Sequence, residues 1–511
     1  MASPPVTSLA GRTRAWAWLA LVVLSFAFLG SRGLLEPDEG RYANVAAQML
    51  RSGDWLVPAL NERTPHFTKP PLTYWAIAAS TKAFGASPWA ARLPNALAWI
   101  ATVGLVVAIA RRLGERDPPL AGLAFATLLL PYAGASVVTT DTLLACFEAL
   151  AVLGIVGLWR APSLGARLAL GAGLGLAFLT KGPVGLLPLV PAALASVALG
   201  EPRRLARWLH PAVWVPFLAI GGSWFAWLAL SQPDVLAGLV REEIYGRIVE
   251  GRFDRHPEWY GALRIYGPAF VLGTLPWTPL ALARPRACLA PLRPGFWRGL
   301  RERDPAGLFL WLWLLVPLAV LALVRSRLPL YLLPCFPPIA LLAARTLPRA
   351  SLACDPARAL LVAWVAVLVG ARVLAAAVPL PATSHVLETG LRTKLRGIEL
   401  ERVVFVDATP RWGIGYTFDV VVDGATLEDV DDPYPPLEDV LAGPSEGRIF
   451  VVPRWSERPF RRRALRAGYG VRKRGQWDHD LYFEASRGIE RWPDGRPWED
   501  DERRRPGASG P

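Results

Sequence analysis

The chain has 511 residues, of which 53% are hydrophobic and 19% charged, below the charged share of about 25% usual for soluble domains. Its charges cluster between long apolar runs and again after residue 380, which excludes a soluble protein built from amphipathic helices. The net charge of +14 does not point to nucleic acid, because many arginines flank apolar runs as membrane anchors do: Arg111 and Arg112, Arg203 and Arg204, Arg284 and Arg286.

A helix needs about 20 apolar residues to span the hydrocarbon of a bilayer. Runs that approach this lie at 16–30, 93–110, 120–135, 143–158, 166–180, 184–199, 211–230, 266–282, 308–324, 330–344 and 360–378. The first follows Arg12 and Arg14 and has a weak small-residue cleavage pattern, so it reads as a retained signal anchor. Arg372 interrupts the last. Pro188, Pro191 and Pro334 are tolerable inside runs where neighbouring helices satisfy the freed carbonyls. The expected fold class is an all-α polytopic membrane protein of about 11–13 transmembrane helices. Cys146, Cys288, Cys335 and Cys354 have no metal-site spacing, and no disulfide framework is expected.

With the N-terminus in the cytoplasm, the arginine-rich loops 111–116, 160–167, 203–207, 284–303 and 345–358 all fall inside. Segments 36–89, 136–141, 181–183, 231–264 and 325–327 then fall outside. An odd helix count sends the tail to the same outer face. Period-two alternation at 402–406 and 448–452, with turn residues around 431–436 and 443–444, predicts a small α/β domain there. The expected division is a transmembrane domain over 1–378 with a first outer loop at 31–90, an α/β domain over 379–490, and a disordered tail over 491–511. Arg461–Arg463 and Arg472–Arg474 in the polar segment after 379 suit anionic headgroups or a solvated basic face equally well.

The first outer loop opens Glu36-Pro37-Asp38-Glu39-Gly40-Arg41-Tyr42 and continues with helical periodicity from Ala43 to Leu50. Pro37 suits a helix start, and the dipole favours Asp38 and Glu39 in the first turn. A capped interfacial helix would explain that much. A carboxylate at the water–lipid boundary can also bind a hydroxyl or amine and take its proton, and paired acids suit glycosyl chemistry. Lys69, in His66-Phe67-Thr68-Lys69-Pro70-Pro71, is held extended by the prolines and is either a phosphate clamp or a snorkelling side chain. Asp141 opens a helix in Thr139-Thr140-Asp141-Thr142 as an N-cap, a functional group, or both. Lys181, Arg325, Arg327 and Tyr331 mark other outer helix ends, and 241–260 carries Arg247 and His256. The agreement of these groups on one face points to chemistry there. Transporters place polar groups at midplane and often show repeated halves, which this chain does not.

Three first-loop segments carry a family resemblance: the opening motif, then Ser52-Gly53-Asp54-Trp55, then Phe67-Thr68-Lys69-Pro70-Pro71-Leu72 with Tyr74-Trp75. They resemble the bacterial aminoarabinose transferases of lipid A, within the membrane glycosyltransferases that include protein O-mannosyltransferases. Asp141-Thr142-Leu143-Leu144, Phe178-Leu179-Thr180-Lys181-Gly182-Pro183, Leu275-Pro276-Trp277 and Arg327-Leu328-Pro329-Leu330-Tyr331 follow in the family's order. The likeness covers most of 14–350.

The resemblance implies a GT-C type fold with a periplasmic C-terminal domain, in a bacterial inner membrane, with the active site facing the periplasm. It implies transfer of a sugar from an undecaprenyl-phosphate-type carrier to lipid A or another lipid or glycan. A protein O-mannosyltransferase-like activity and a lipid or sugar transporter are the alternatives. By match, Asp38 is the carboxylate that binds and deprotonates the acceptor, with Arg41 and Tyr42 beside it and Asp141 as a second acid. Lys69 and Arg247 would hold the donor phosphate, and Tyr331 would line the cavity. The family's usual Phe-Glu-Lys-Pro is Phe67-Thr68-Lys69-Pro70 here, so His256, matching a metal-ligating histidine, lacks its glutamate partner.

Overall fold

The computed structural model describes residues 22–23, 25–239, 241, 256, 258–282, 289–346, 355–378, 383–395, 399–427, 434–443, 447–477 and 479–487. Residues 16–21 and 24 of the first apolar run, Arg247, Cys288, Cys354 and the 491–511 tail lie outside the described residues.

Among the described residues, six helices are long and apolar enough to cross a membrane: Pro88–Leu113, Thr140–Arg160, Leu164–Leu186, Pro211–Ser231, Pro305–Leu323 and Ala359–Ala377. Small residues set their packing. A Cβ on Gly154 would lie 2.4 Å from the Leu170 amide, and one on Gly173 would lie 2.5 Å from the Ala151 amide. The Thr140–Arg160 and Leu164–Lys181 helices therefore meet backbone to backbone, the route to close association where no hydrophobic drive operates.

Several expected spans are broken. The 120–135 run forms Pro118–Thr127 and Leu129–Gly134, with Leu128 extended between them. Pro131 has no N–H to offer the Thr127 carbonyl, and Trp364 Nε1 supplies that bond at 2.8 Å instead. The 184–199 run is a 3₁₀ turn, Gly182–Leu186, followed by Leu189–Ala198. The 266–282 run divides into Gly261–Gly273 and Trp277–Leu282 around a cis Leu275–Pro276 bond. The 330–344 run starts as a 3₁₀ helix, Pro329–Cys335, before Phe336–Thr346. Arg372 does not interrupt its helix. It turns inward, with its guanidinium 4.9 Å over the Tyr132 ring.

The first loop folds into two helices, Asp38–Ser52 and Leu72–Phe84. Pro37 stands at the first helix's start, and Gly53, at φ +73°, ends it in the left-handed conformation that glycine adopts without strain. Beyond the spans lies a five-stranded sheet, β1 (Arg402–Val406), β2 (Val421–Ala425), β3 (Arg448–Pro453), β4 (Tyr469–Trp477) and β5 (Asp480–Arg487), in the order β2-β1-β3-β5-β4. β1 runs parallel to β2 and β3, and β5 antiparallel to β3 and β4. Both faces of the inner strands are buried, which is why β1 and β3 read as nearly unbroken apolar runs.

This sheet unit is stitched to the first loop. Leu34 and Ser384 exchange two hydrogen bonds, at 2.8 and 3.1 Å, and Asn61 Nδ2 donates to Asp423 Oδ1 at 2.7 Å. The buried Tyr416 hydroxyl meets Thr81 Oγ1 at 2.9 Å. Glu36 Oε1 accepts from the Gly413 amide at 2.7 Å, while Oε2 is buried without a partner. Burial pushes the Glu36 carboxyl up to about 7, against the Gly413 and Trp412 amides and Arg411, which favour its charge, and Glu388 adds to the rise.

The folded protein thus keeps the Glu36 proton up to about pH 7, whereas the unfolded chain loses it near the ordinary 4.5. Stability should fall as pH rises between those values and stay flat above them. The contribution is at most about 3 kcal/mol, since each tenfold change in proton affinity corresponds to about 1.4 kcal/mol. Hydrogen exchange at Gly413 should slow as pH is lowered from 8 to 5, after correction for intrinsic rates. Glu36→Gln should remove that dependence.

Candidate active site

Two charged groups are brought to one end of the bundle. The first begins with Asp141, placed in the opening turn of its helix by Thr139, whose Oγ1 accepts the Asp141 amide at 3.2 Å and donates to Oδ2 at 2.8 Å. Lys181 closes the neighbouring helix, which Gly182 terminates at φ +66°. Its ammonium pairs with Asp141 Oδ1 and lies 3.9 Å from the centre of the Tyr331 ring. An anion at a helix start and a cation at a helix end each suit the local dipole. Tyr266, a buried tyrosine, lies within electrostatic reach of Asp141, Tyr331 and Arg327, and the Asp141–Lys181 ion pair is itself largely buried.

The second group belongs to the first loop. Asp38 Oδ1 accepts from Arg41 Nη2 at 2.6 Å, and its side chain remains 47% exposed. The pair spans one helical turn and is partly open to solvent, so among the described residues the carboxylate is held by a single partner and is available to another molecule. Tyr42 links the two groups. Its half-buried phenol lies within electrostatic reach of Asp38, Arg41 and Asp141, and its ring is 5.5 Å from that of Tyr74. Burial, with these acids, raises the phenol well above its ordinary value, so it acts as a hydrogen-bonding hydroxyl.

Lys69 enters through His66. Burial and the positive charges of Arg41 and Lys69 drive the imidazole down to about 3, which places both cations around one neutral histidine. The Lys69 ammonium donates to the Thr68 carbonyl at 2.9 Å. Lys69 and the Arg41 that pairs with Asp38 thus both act on one histidine, and two cations so placed are groups that a bound phosphate could neutralise.

Glu39, next to Asp38 in sequence, has the opposite fate. It accepts from Arg92 Nε and Nη2 and from Arg32 Nη1, all at 2.8 Å, and from the Leu35 and Val138 amides. Burial alone would raise its carboxyl, but Arg92 and Arg32 outweigh that and hold it well below the usual range. Glu39 is therefore a buried brace, not the second member of an acid pair with Asp38.

Of the expected residues, Asp38, Arg41, Tyr42, Lys69, Asp141 and Tyr331 fall in this region, and Arg247 lies outside the described residues. His256 contributes its carbonyl to Arg327 Nη1 at 2.5 Å. Where the resemblance expects a glutamate ligand for a metal, this chain has Thr68. Thr68 Oγ1 is engaged with His66 Nε2 at 2.9 Å, and among the described residues no group of three or more His, Cys, Asp or Glu could hold an ion.

Sequence reasoning missed Glu148. It lies seven residues after Asp141 on the same helix face, buried, with Oε1 lacking a partner and with Lys181 and Asp141 in electrostatic reach. Its signal was available, for it is the one charge in the 143–158 run.

The fold and the site at one end of its spans define a membrane protein of the GT-C architecture. Within that class the chain is similar to the aminoarabinose transferases and matches a family of mannosyltransferases. Residues 68–228 match the model of dolichyl-phosphate-mannose-protein mannosyltransferase. The undecaprenyl phosphate-alpha-4-amino-4-deoxy-L-arabinose arabinosyl transferase of Edwardsiella ictaluri is 32% identical over 339 residues, covering 64% of this chain and 58% of that one. The corresponding protein of Pseudomonas aeruginosa is 32% identical over 361 residues, covering 66% and 60%. The matched region thus spans less than two thirds of the length of these relatives. The crystal structure of ArnT from Cupriavidus metallidurans bound to undecaprenyl phosphate superposes with a TM-score of 0.73 at 20% identity, covering 92% of this chain and 98% of that one. Its apo form gives 0.71 at 21% identity, covering 94% and 98%.

Proposed function

We propose that this chain transfers a sugar from a polyprenyl-phosphate carrier, of the undecaprenyl-phosphate type, to a hydroxyl or amine of a lipid or glycan such as lipid A. The observation that carries this reading is the exposed Asp38 carboxylate paired with Arg41, with Lys69 acting on the same His66 as Arg41 and the Asp141–Lys181 pair acting, through Asp141, on the same Tyr42 as Asp38. It is supported by the similarity to arabinosyl transferases and by a shared fold with ArnT.

In this reading the arginine-rich loops are cytoplasmic, so the site and the sheet unit face the periplasm of a bacterial inner membrane. The transmembrane domain is 1–378 and the periplasmic domain 379–490. The donor enters from the bilayer with its phosphate between Lys69 and Arg41, and Arg247 adds to this clamp. The acceptor hydroxyl or amine attacks the anomeric carbon, the bond from that carbon to the phosphate oxygen breaks, and Asp38 takes the acceptor proton. The carrier leaves as polyprenyl phosphate. Its added negative charge is met by fixed cations, which need no reorganisation as the bond breaks. Asp141 holds Lys181 toward Tyr331, which line the same hollow.

Removing Lys69 should weaken the phosphate clamp while sparing Asp38. Lys69→Ala is expected to raise KM for the donor by about tenfold or more, the scale of one charge-assisted contact of 1.5–3 kcal/mol. Initial rates against donor concentration would measure it. An unchanged KM would remove Lys69 from the donor site.

The mannosyltransferase family match favours a second reading, in which the acceptor is a protein. Mass spectra of lipids, glycans and envelope proteins from a deletion strain and its parent separate the two. A lipid or glycan that loses one sugar mass supports the first reading, and loss confined to glycoproteins supports the second. No difference in any fraction, with the gene expressed, contradicts both.

A further inference from the structure

We propose that the end of the bundle away from Asp38 carries a binding site for an anionic phospholipid, its phosphate held by arginine. The 21-residue Thr140–Arg160 helix starts at the Asp141 site and ends about 30 Å away at 1.5 Å per residue. At that far end lies a cavity of about 1000 Å³ between the helix termini. Five arginines line it against three carboxylates.

Two of the three carboxylates are already consumed. Glu115 Oε1 accepts from Arg345 Nε at 2.8 Å and Nη2 at 2.5 Å, and Asp304 Oδ2 accepts from Arg345 Nη1 at 2.8 Å. Asp304 also caps a helix, through Oδ1 and the Gly307 amide at 2.9 Å. That network neutralises Arg345. Among the described residues, Arg160 by contrast meets only a neutral carbonyl, that of Leu113, at 2.7 Å. Arg204 lies 5.6 Å over the Trp159 ring and forms an ion pair with the half-exposed Glu201. Trp159, on the same wall, has a buried indole N–H with no acceptor. The cavity therefore offers cationic and neutral donors in excess of its acceptors, the requirement of a phosphate group.

The rest of the lining is apolar, with Leu120, Val156 and Leu199 among it. A free anion has no use for that surface, whereas an acyl chain does. The position also suits a lipid, since the arginine-rich loops put this end on the cytoplasmic side, where basic pockets between transmembrane helices bind anionic headgroups. The site is independent of the sugar-transfer reading, because none of its residues touches the Asp38 or Asp141 groups.

The test is native mass spectrometry of the full-length protein released from nanodiscs of mixed phosphatidylglycerol and phosphatidylcholine. The wild type should retain phosphatidylglycerol in preference. Arg160→Gln combined with Arg303→Gln should retain about tenfold less, from two lost charge contacts at the membrane surface. Ala306→Phe fills the cavity without changing its charge and should give a similar loss, which keeps the test open if the double variant folds poorly. Arg301→Gln, on the same face but not lining the cavity, should behave as wild type. Equal retention by the cavity variants and the wild type would overturn the proposal. So would an equal loss in Arg301→Gln, or binding of inorganic phosphate with no retained lipid.

Discussion

Asp38→Asn is expected to lower the transfer rate by about 10²–10⁴-fold, the usual contribution of a positioned general base. The substitution keeps the side chain's shape and removes its basicity. Its structural cost should be small, because Asp38 is half exposed and its one partner, Arg41, is a helical neighbour. Exposed pairs of that kind contribute roughly 0–1 kcal/mol. Expression and melting temperature should therefore match the wild type while turnover collapses. Asp38→Ala should do the same. Near-normal turnover in either variant would remove Asp38 from the chemistry.

Arg92→Met should have the opposite signature, a protein lost before its activity can be read. Arg92 is fully buried and donates to Glu39 twice and to the carbonyls of Leu29, Arg32 and Gly33. Removing it strands Glu39 with Arg32 as its remaining cation, and breaking a buried pair costs about 3–5 kcal/mol. The damage should concentrate where the pair ties the first loop to the Pro88–Leu113 and Thr140–Arg160 helices. Thermal unfolding in detergent should show a large fall in melting temperature, and limited proteolysis should cut first between residues 31 and 60. Replacing Arg92 and Glu39 together, by Met and Leu, should recover part of that loss, since no buried charge is then stranded on the carboxylate side. A wild-type melting curve for Arg92→Met would show that the brace is not what holds the loop.

The contrast between Asp38 and Glu39 marks the boundary of what the sequence could reveal. Both are acids in the first turn of the same helix, and the dipole favours each equally. Their roles diverge because one residue of helical rotation, about 100°, turns Glu39 inward to meet Arg92 from 53 positions later, and no local pattern carries that partner. The same limit applies to Asp141 and Lys181. Each was visible as a charge at an outer helix end, but their pairing depends on how two helices pack through Gly154 and Gly173. Hydropathy located the apolar runs well, because burial in lipid demands them. It misjudged their continuity at Leu128 and at Pro276, where the freed backbone finds partners on distant helices such as Trp364. Arg372 looked like an interruption only because the sequence does not reveal that Tyr132 faces it.

The most direct test is mass balance on the purified protein. Wild-type protein in nanodiscs would be given undecaprenyl-phosphate-linked sugars of several kinds together with a lipid acceptor. With one of them, donor should disappear as undecaprenyl phosphate and sugar-bearing acceptor form in equal amounts, and Asp38→Asn should stop all three changes. Release of free sugar without acceptor gain, or the same conversion in the folded Asp38→Asn protein, would contradict a transferase built around that carboxylate.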